Sequence, residues 1–75
     1  FPQSLINVRL QPGQAWRTPE LDAAQRDVEH ALGETGRVLI RPSGTEPLVR
    51  VMVEARDAQL AQQSAQRLAD VMAAA

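Results

Sequence analysis

The segment Arg37-Val38-Leu39-Ile40-Arg41-Pro42-Ser43-Gly44-Thr45-Glu46-Pro47-Leu48-Val49-Arg50-Val51-Met52-Val53-Glu54 decides how this chain folds. Two runs rich in β-branched and large apolar residues, 37–41 and 48–54, flank six residues that include two prolines and a glycine. Such runs read as strands and such a spacer as an irregular turn, so the segment predicts an antiparallel hairpin. On the second strand Val49, Val51 and Val53 share one face by the two-residue period. Leu48, Arg50, Met52 and Glu54 share the other, which is mixed and suited only to partial cover.

Working outward from the hairpin, Leu5–Leu10 predicts a further strand, with Ile6, Val8 and Leu10 on its core face and Leu5, Asn7 and Arg9 on the opposite one. Gln11-Pro12-Gly13-Gln14 then signals a turn. Thr18-Pro19-Glu20 has the chemistry of a helix start: a hydroxyl at the N-cap, proline at the first helical position and an acid near the positive end of the dipole. The spacing predicts a helix over Pro19–Leu32 with an apolar stripe of Leu21, Ala24, Val28, Ala31 and Leu32, ended by Gly33; Gly36 opens the next connection. Downstream of the hairpin, Asp57 is placed to cap a second amphipathic helix whose stripe is Leu60, Ser64, Leu68, Val71 and Met72. The order strand, helix, strand, strand, helix predicts a small β-α-β-β-α domain of the α+β class, with helices packed on one face of a mainly antiparallel sheet. The other face is left open to a partner.

Composition narrows the function. Seventy-five residues make one small core, and with no cysteine and one histidine the chain has neither disulfides, thiolate zinc sites nor a multi-histidine metal centre. The net charge is −1, every basic residue is arginine, and Phe1 and Trp16 are the only aromatic residues. A general polyanion surface and an aromatic platform for single strands are both lacking, which argues against nucleic acid as a partner. No apolar run approaches the ~20 residues of a membrane span, and the first residues have neither region of a signal peptide, so no membrane partner is expected. Because the chain starts at Phe1, it is expected to be a domain excised from a longer protein.

The loop 41–47 supplies more than a turn requires. Ser43 and Thr45 bring hydroxyls, Gly44 between them lets backbone amides approach a ligand, and Arg41 brings a guanidinium at the strand end. Phosphate oxygens only accept, so a phosphate site needs several donors converging on one point, of which arginine is the strongest. The amides of Ser43, Gly44 and Thr45 are candidates to join. Pro42 and Pro47 have no N–H to give but stiffen the loop. The spacing is not that of a Walker A loop. Serine, glycine, threonine and proline are also ordinary turn residues, so a plain turn is the alternative at this level.

The run Arg41-Pro-Ser-Gly-Thr-Glu-Pro-Leu-Val-Arg-Val-Met-Val-Glu54 resembles the C-terminal domain of the α-D-phosphohexomutase family. With Pro2-Gln3-Ser4-Leu5-Ile6-Asn7-Val8-Arg9, it is more similar to the branch that interconverts glucosamine 6-phosphate and glucosamine 1-phosphate than to the phosphomannomutase/phosphoglucomutase branch, where asparagine often replaces Gly44. Pro42 departs from the lysine of many members of the glucosamine branch, which removes one positive charge.

The resemblance covers nearly the whole chain, is specific in the loop and weak in the helices. It implies a fold like that of the TATA-box-binding protein and a role as the last of four domains in a cytoplasmic isomerase. In that role Arg41, Ser43, Gly44 and Thr45 hold the phosphate that is not being transferred, and the domain hinges over the active site. The partners implied are a phosphosugar and the other domains of the same chain. No cofactor is expected on this domain; Mg²⁺ and a catalytic phosphoserine are expected in the absent domains, so no catalytic residue is expected here. The competing class is a free-standing α+β interaction module.

Arg50 reaches the loop from the adjacent strand or pairs with Glu54 or Glu46. Trp16 serves as a helix staple or an interdomain contact. His30 reads as structural, Met52 and Met72 as core, and Arg9, Arg17, Arg37, Arg56 and Arg67 as solvated charges.

Overall fold

The computed structural model describes residues 1–11 and 15–74; Pro12, Gly13 and Gln14, and with them most of the expected turn, lie outside the described residues. The elements run β1 Gln3–Arg9, α1 Pro19–Leu32, a single 3-10 turn Gly33–Thr35, β2 Arg37–Pro42, β3 Leu48–Glu54 and α2 Ala58–Ala74. This is the predicted order. The sheet order is β1-β3-β2, antiparallel at both pairings. β1 and β2 therefore run in the same direction with β3 inserted between them, which makes β1-α1-β2 a split crossover.

The central place falls to β3, the strand with the most apolar face. Val49, Val51 and Val53 are 1%, 0% and 0% exposed, because both neighbours and the helices cover that face. β1 begins two residues before the expected start because it pairs with the whole of β3, from Gln3↔Glu54 to Arg9↔Leu48. The ladder continues past both ends, with Ala55 N donating to Pro2 O at 3.0 Å and Leu10 N to Pro47 O at 2.7 Å. β2 ends on Pro42, which an edge strand tolerates.

The α1 boundaries are those of the sequence reading. Thr18 Oγ1 accepts from Leu21 N at 3.2 Å, and Gly33, at φ 60°, donates its N–H to Glu29 O. Positive φ is why glycine ends this helix. Leu21, Ala24, Val28 and Leu32 are buried as expected, but Ala31 is exposed: it lies on the margin of the stripe, beyond the arc that packs inward.

In α2, Asp57 Oδ1 accepts from Gln59 N at 2.7 Å and Leu60 N at 3.3 Å, as an N-cap should. The buried stripe is Ala61, Ser64, Ala65, Leu68, Ala69 and Met72, with Leu60 and Val71 only at its rim. Small alanines at the centre let the helix approach the sheet closely. Gln-Ala composition hid this, because alanine counts little toward an apolar stripe.

The helices cover the valine face of the sheet, and the opposite face stays open. Met52 was expected in the core; it instead stands half-buried on the open face, where Leu5 and Leu39 oppose it from β1 and β2. Leu5 is 59% exposed and Leu39 37%. Three arginines expected to be solvated are paired: Arg17 with Asp22 at 2.9 Å, Arg37 with Glu54 at 3.7 Å and Arg67 with Asp27 at 3.1 Å. The last ties α2 to α1. All three pairs include an exposed arginine and contribute modestly. Trp16 is half-buried against the core, two residues before the N-cap and so outside the staple position, with the Arg17 guanidinium 5.0 Å from its ring centroid.

Candidate functional site

Antiparallel register places residues of the open face in rows across the three strands. The first row is Gln3–Glu54–Arg37, the next Leu5–Met52–Leu39, and the third Asn7–Arg50–Arg41. Arg9 opposes Leu48 beyond them. The face thus grades from paired charge, through apolar side chains, to unpaired arginine beside the loop.

At the first row Gln3 Nε2 donates to Glu54 Oε2 at 2.9 Å, and Arg37 Nε lies 3.7 Å from Oε1. The Gln3 hydrogen bond, aided by the Arg37 charge, holds the Glu54 carboxyl below the usual carboxylate range, against a partial desolvation. The third row is the opposite case. Arg41 and Arg50 face each other directly across the strands, both exposed, and among the described residues neither side chain has a hydrogen-bond or ion-pair partner. Neither pairing considered for Arg50 forms, since Glu54 is engaged by Gln3 and Arg37, and Glu46 makes no ion pair. Like charges in direct opposition weaken a strand pair, so this row is not there to stabilise the sheet.

The loop hangs from that row. Ser43 N donates to Leu48 O at 2.7 Å, Leu48 N to Glu46 O at 2.7 Å, and Thr45 N reaches Ser43 Oγ at 3.5 Å. With Leu10 N on Pro47 O, these bonds anchor both ends of the loop to the sheet. They also correct one expectation: the Ser43 amide is occupied by Leu48 and is not free for a ligand, and the Thr45 amide is weakly engaged. The Gly44 and Glu46 N–H groups, and the Thr45 hydroxyl, have no partner among the described residues.

Gly44 has no structural need to be glycine. Its φ lies outside the left-handed region, and a Cβ built on it meets nothing within 4 Å. Open space beside free donors is what close approach of an anion requires. Arg41 and Arg50, with Leu5, Leu39 and Met52, line a shallow groove on the open face. On the other side of the loop a second groove is bounded by Leu10, Trp16, Pro42, Ser43, Glu46 and Leu48, which places the Glu46 segment there.

The structure therefore brings Arg41 and Arg50 into one row at the mouth of the loop that carries Ser43, Gly44 and Thr45. It also puts Arg9, read from sequence as a plain surface charge, on the same face. Its period-two phase was legible; its neighbours were not, because they depend on which strand lies beside β1. Among the described residues no three His, Cys, Asp or Glu side chains converge. Chemically, the arrangement can bind and orient an anion.

Residues 5–71 match the family model described as phosphoglucomutase/phosphomannomutase, C-terminal domain. The phosphoglucosamine mutase of Methylibium petroleiphilum is 66% identical over 73 residues, which is 96% of this chain and 16% of that protein. That of Variovorax paradoxus is 67% identical over 70 residues, 92% of this chain and 16% of the relative. The chain thus spans about one sixth of the length of the curated relatives it matches. Among solved structures, Aspergillus fumigatus N-acetylphosphoglucosamine mutase in complex with GlcNAc-6P and magnesium superposes with a TM-score of 0.73 at 28% identity, over 93% of this chain and 15% of that one. A serine-to-alanine variant of the same fungal enzyme in complex with glucose 1,6-bisphosphate gives 0.74 at 29% identity, with the same coverage.

Proposed function

Since the chain belongs to the phosphoglucomutase/phosphomannomutase C-terminal domain family, we propose that it is the last domain of a four-domain phosphoglucosamine mutase converting glucosamine 6-phosphate to glucosamine 1-phosphate. Its share is to hold the phosphate that is not being transferred, through Arg41, Arg50, the Ser43 and Thr45 hydroxyls and the Gly44 amide. The observation that carries this is the unpaired Arg41/Arg50 row beside the open space at Gly44.

A mutase that moves phosphate between two positions of one sugar must present each end in turn to the same chemistry. The end not reacting needs a grip that recognises phosphate and little else. Two guanidiniums supply charge and a planar fork, the hydroxyls and amide fill the remaining acceptor positions, and the prolines limit what the loop loses in entropy on closing. Held at one end, the sugar reacts at the other as a positioned group, and closure of the domain over it excludes water.

Magnesium appears in a solved relative of similar fold. In the parent enzyme such an ion would neutralise charge on the transferring phosphate, and this reading assigns it, with the phosphorylated serine, to the other domains. With a water-soluble phosphosugar as its substrate, the parent is read as a cytoplasmic enzyme. No helix among the described residues is long and apolar enough to cross a membrane.

The test is turnover by the full-length enzyme carrying Arg41→Ala. Losing a charged, multidentate contact worth about 2 kcal/mol raises KM for glucosamine 6-phosphate roughly 30-fold. An unchanged KM would remove the loop from substrate binding. For the chain alone, two or three such bonds less the cost of immobilising the ligand leave a Kd of about 1 mM for the phosphosugar.

A further inference from the structure

We propose that Arg9, at the end of β1, is a third arm of the anion site, so that the phosphate is held from all three strands of the sheet and not by the hairpin loop alone. The proposal rests on the phosphate-binding reading above and names a residue outside the loop that completes it.

Arg9 falls on the open face: Val8 beside it is buried, and Arg9 itself is exposed, in phase with Leu5 and Asn7. In register it opposes Leu48, two residues along β3 from Arg50, which opposes Asn7. That diagonal spans about 7–8 Å between Cα atoms, a separation that long side chains bridge. Arg41 lies directly across β3 from Arg50. Three arginines from three strands therefore share the end of the face where the loop opens.

None of the three side chains has an ion-pair or hydrogen-bond partner among the described residues. The only acid within the rows of this face, Glu54, lies at the far end and is already engaged; Glu46, in the loop, pairs with none of them. Arg26 and Arg56 also lack partners, but they stand on α1 and in the bend after β3, away from the loop. What singles out Arg9 is convergence with two others where the sequence could have placed a neutral residue. Such convergence is unfavourable without an anion and favourable with a doubly charged one.

The loop has a matching shortfall. With the Ser43 amide engaged by Leu48, fewer backbone donors remain than the loop sequence promises, while a phosphate offers three terminal oxygens with several acceptor positions. Arg9 supplies donors from the side opposite Arg41.

The experiment uses the full-length enzyme and inorganic phosphate as a competitive inhibitor against glucosamine 6-phosphate. Arg9→Gln is expected to raise the phosphate Ki about fivefold, and Arg9→Lys to recover most of the loss. Arg56→Gln should leave Ki unchanged. If Arg41→Ala raises Ki and Arg9→Gln does not, the third arm is wrong and the loop reading stands. If neither changes it, both fall. A rise in Ki with lowered thermal stability that lysine fails to rescue would assign Arg9 to the fold and overturn the proposal.

Discussion

The two ends of the hairpin are built to different purposes although they share two strands. At the end near Glu54, the carboxylate is hydrogen-bonded by Gln3 and paired with Arg37, and the backbone is closed: a Cβ on Gly36 would collide with the Glu54 carbonyl oxygen. At the loop end, arginines oppose each other unpaired, and a Cβ on Gly44 would meet only open space. One glycine is demanded by the fold and the other is not. Where the fold does not demand a residue and the charges around it are left unsatisfied, the proposed phosphate site gives the residue its reason.

Substitutions can break that contrast. The largest effect on stability is expected for Gly36→Ala, which forces β2 and β3 apart or displaces Leu32 and costs about 1–3 kcal/mol in chemical denaturation. Gly44→Ala should stay within about 0.5 kcal/mol in the same measurement while weakening phosphate inhibition of the full-length enzyme. Equal losses at the two glycines would mean that the loop is structural after all.

Next in size is Arg50→Glu. It turns a like-charge opposition into a cross-strand ion pair with Arg41, so the fold should gain about 0.2–1 kcal/mol while phosphate binding is lost. A variant that is more stable and less able to bind is hard to explain unless the arginine row is kept for a ligand. A loss of stability would show that the two guanidiniums are held apart by something other than an anion.

The smallest effect belongs to the neutral end. Glu54 has its carboxyl depressed in the folded chain, chiefly by the Gln3 hydrogen bond, so its contribution is present above the ordinary carboxylate pKa and lost as pH falls through the depressed value. Stability should therefore decline on the acid side, at and below about pH 4.3, and Glu54→Gln should decline less. Denaturation curves at neutral and acid pH for the two proteins check it; parallel declines would remove Glu54 as a source.

Much of this was legible in the residues. α1 was bounded by Thr18-Pro19 and Gly33 because caps are local chemistry, and β3 was bounded by Pro47 and the end of its valine alternation. The stripe of α2 is less legible: the spacing includes Leu60 and Val71 and passes over Ala61, Ala65 and Ala69, which pack against the core, since depth of burial follows how closely a helix can approach and not the apolarity of each side chain. Met52 was misplaced for a related reason, because its phase in β3 puts it opposite the valines however apolar it is. In the candidate site the residue types were visible in the loop, but the use of the Ser43 amide by Leu48 was not, since it depends on how the hairpin closes.

The sequence by itself determined the elements, their order and the alternation of faces along each strand, because caps, turns and the periods of strand and helix act over a few residues. The hairpin already made β2 and β3 neighbours, and only the tertiary structure decided that β1 lies on the far side of β3. Burying the most apolar strand put β3 between β1 and β2, and that choice turned three alternating patterns into rows. Through it Arg9, more than thirty residues away in the chain, came to stand beside Arg41 and Arg50.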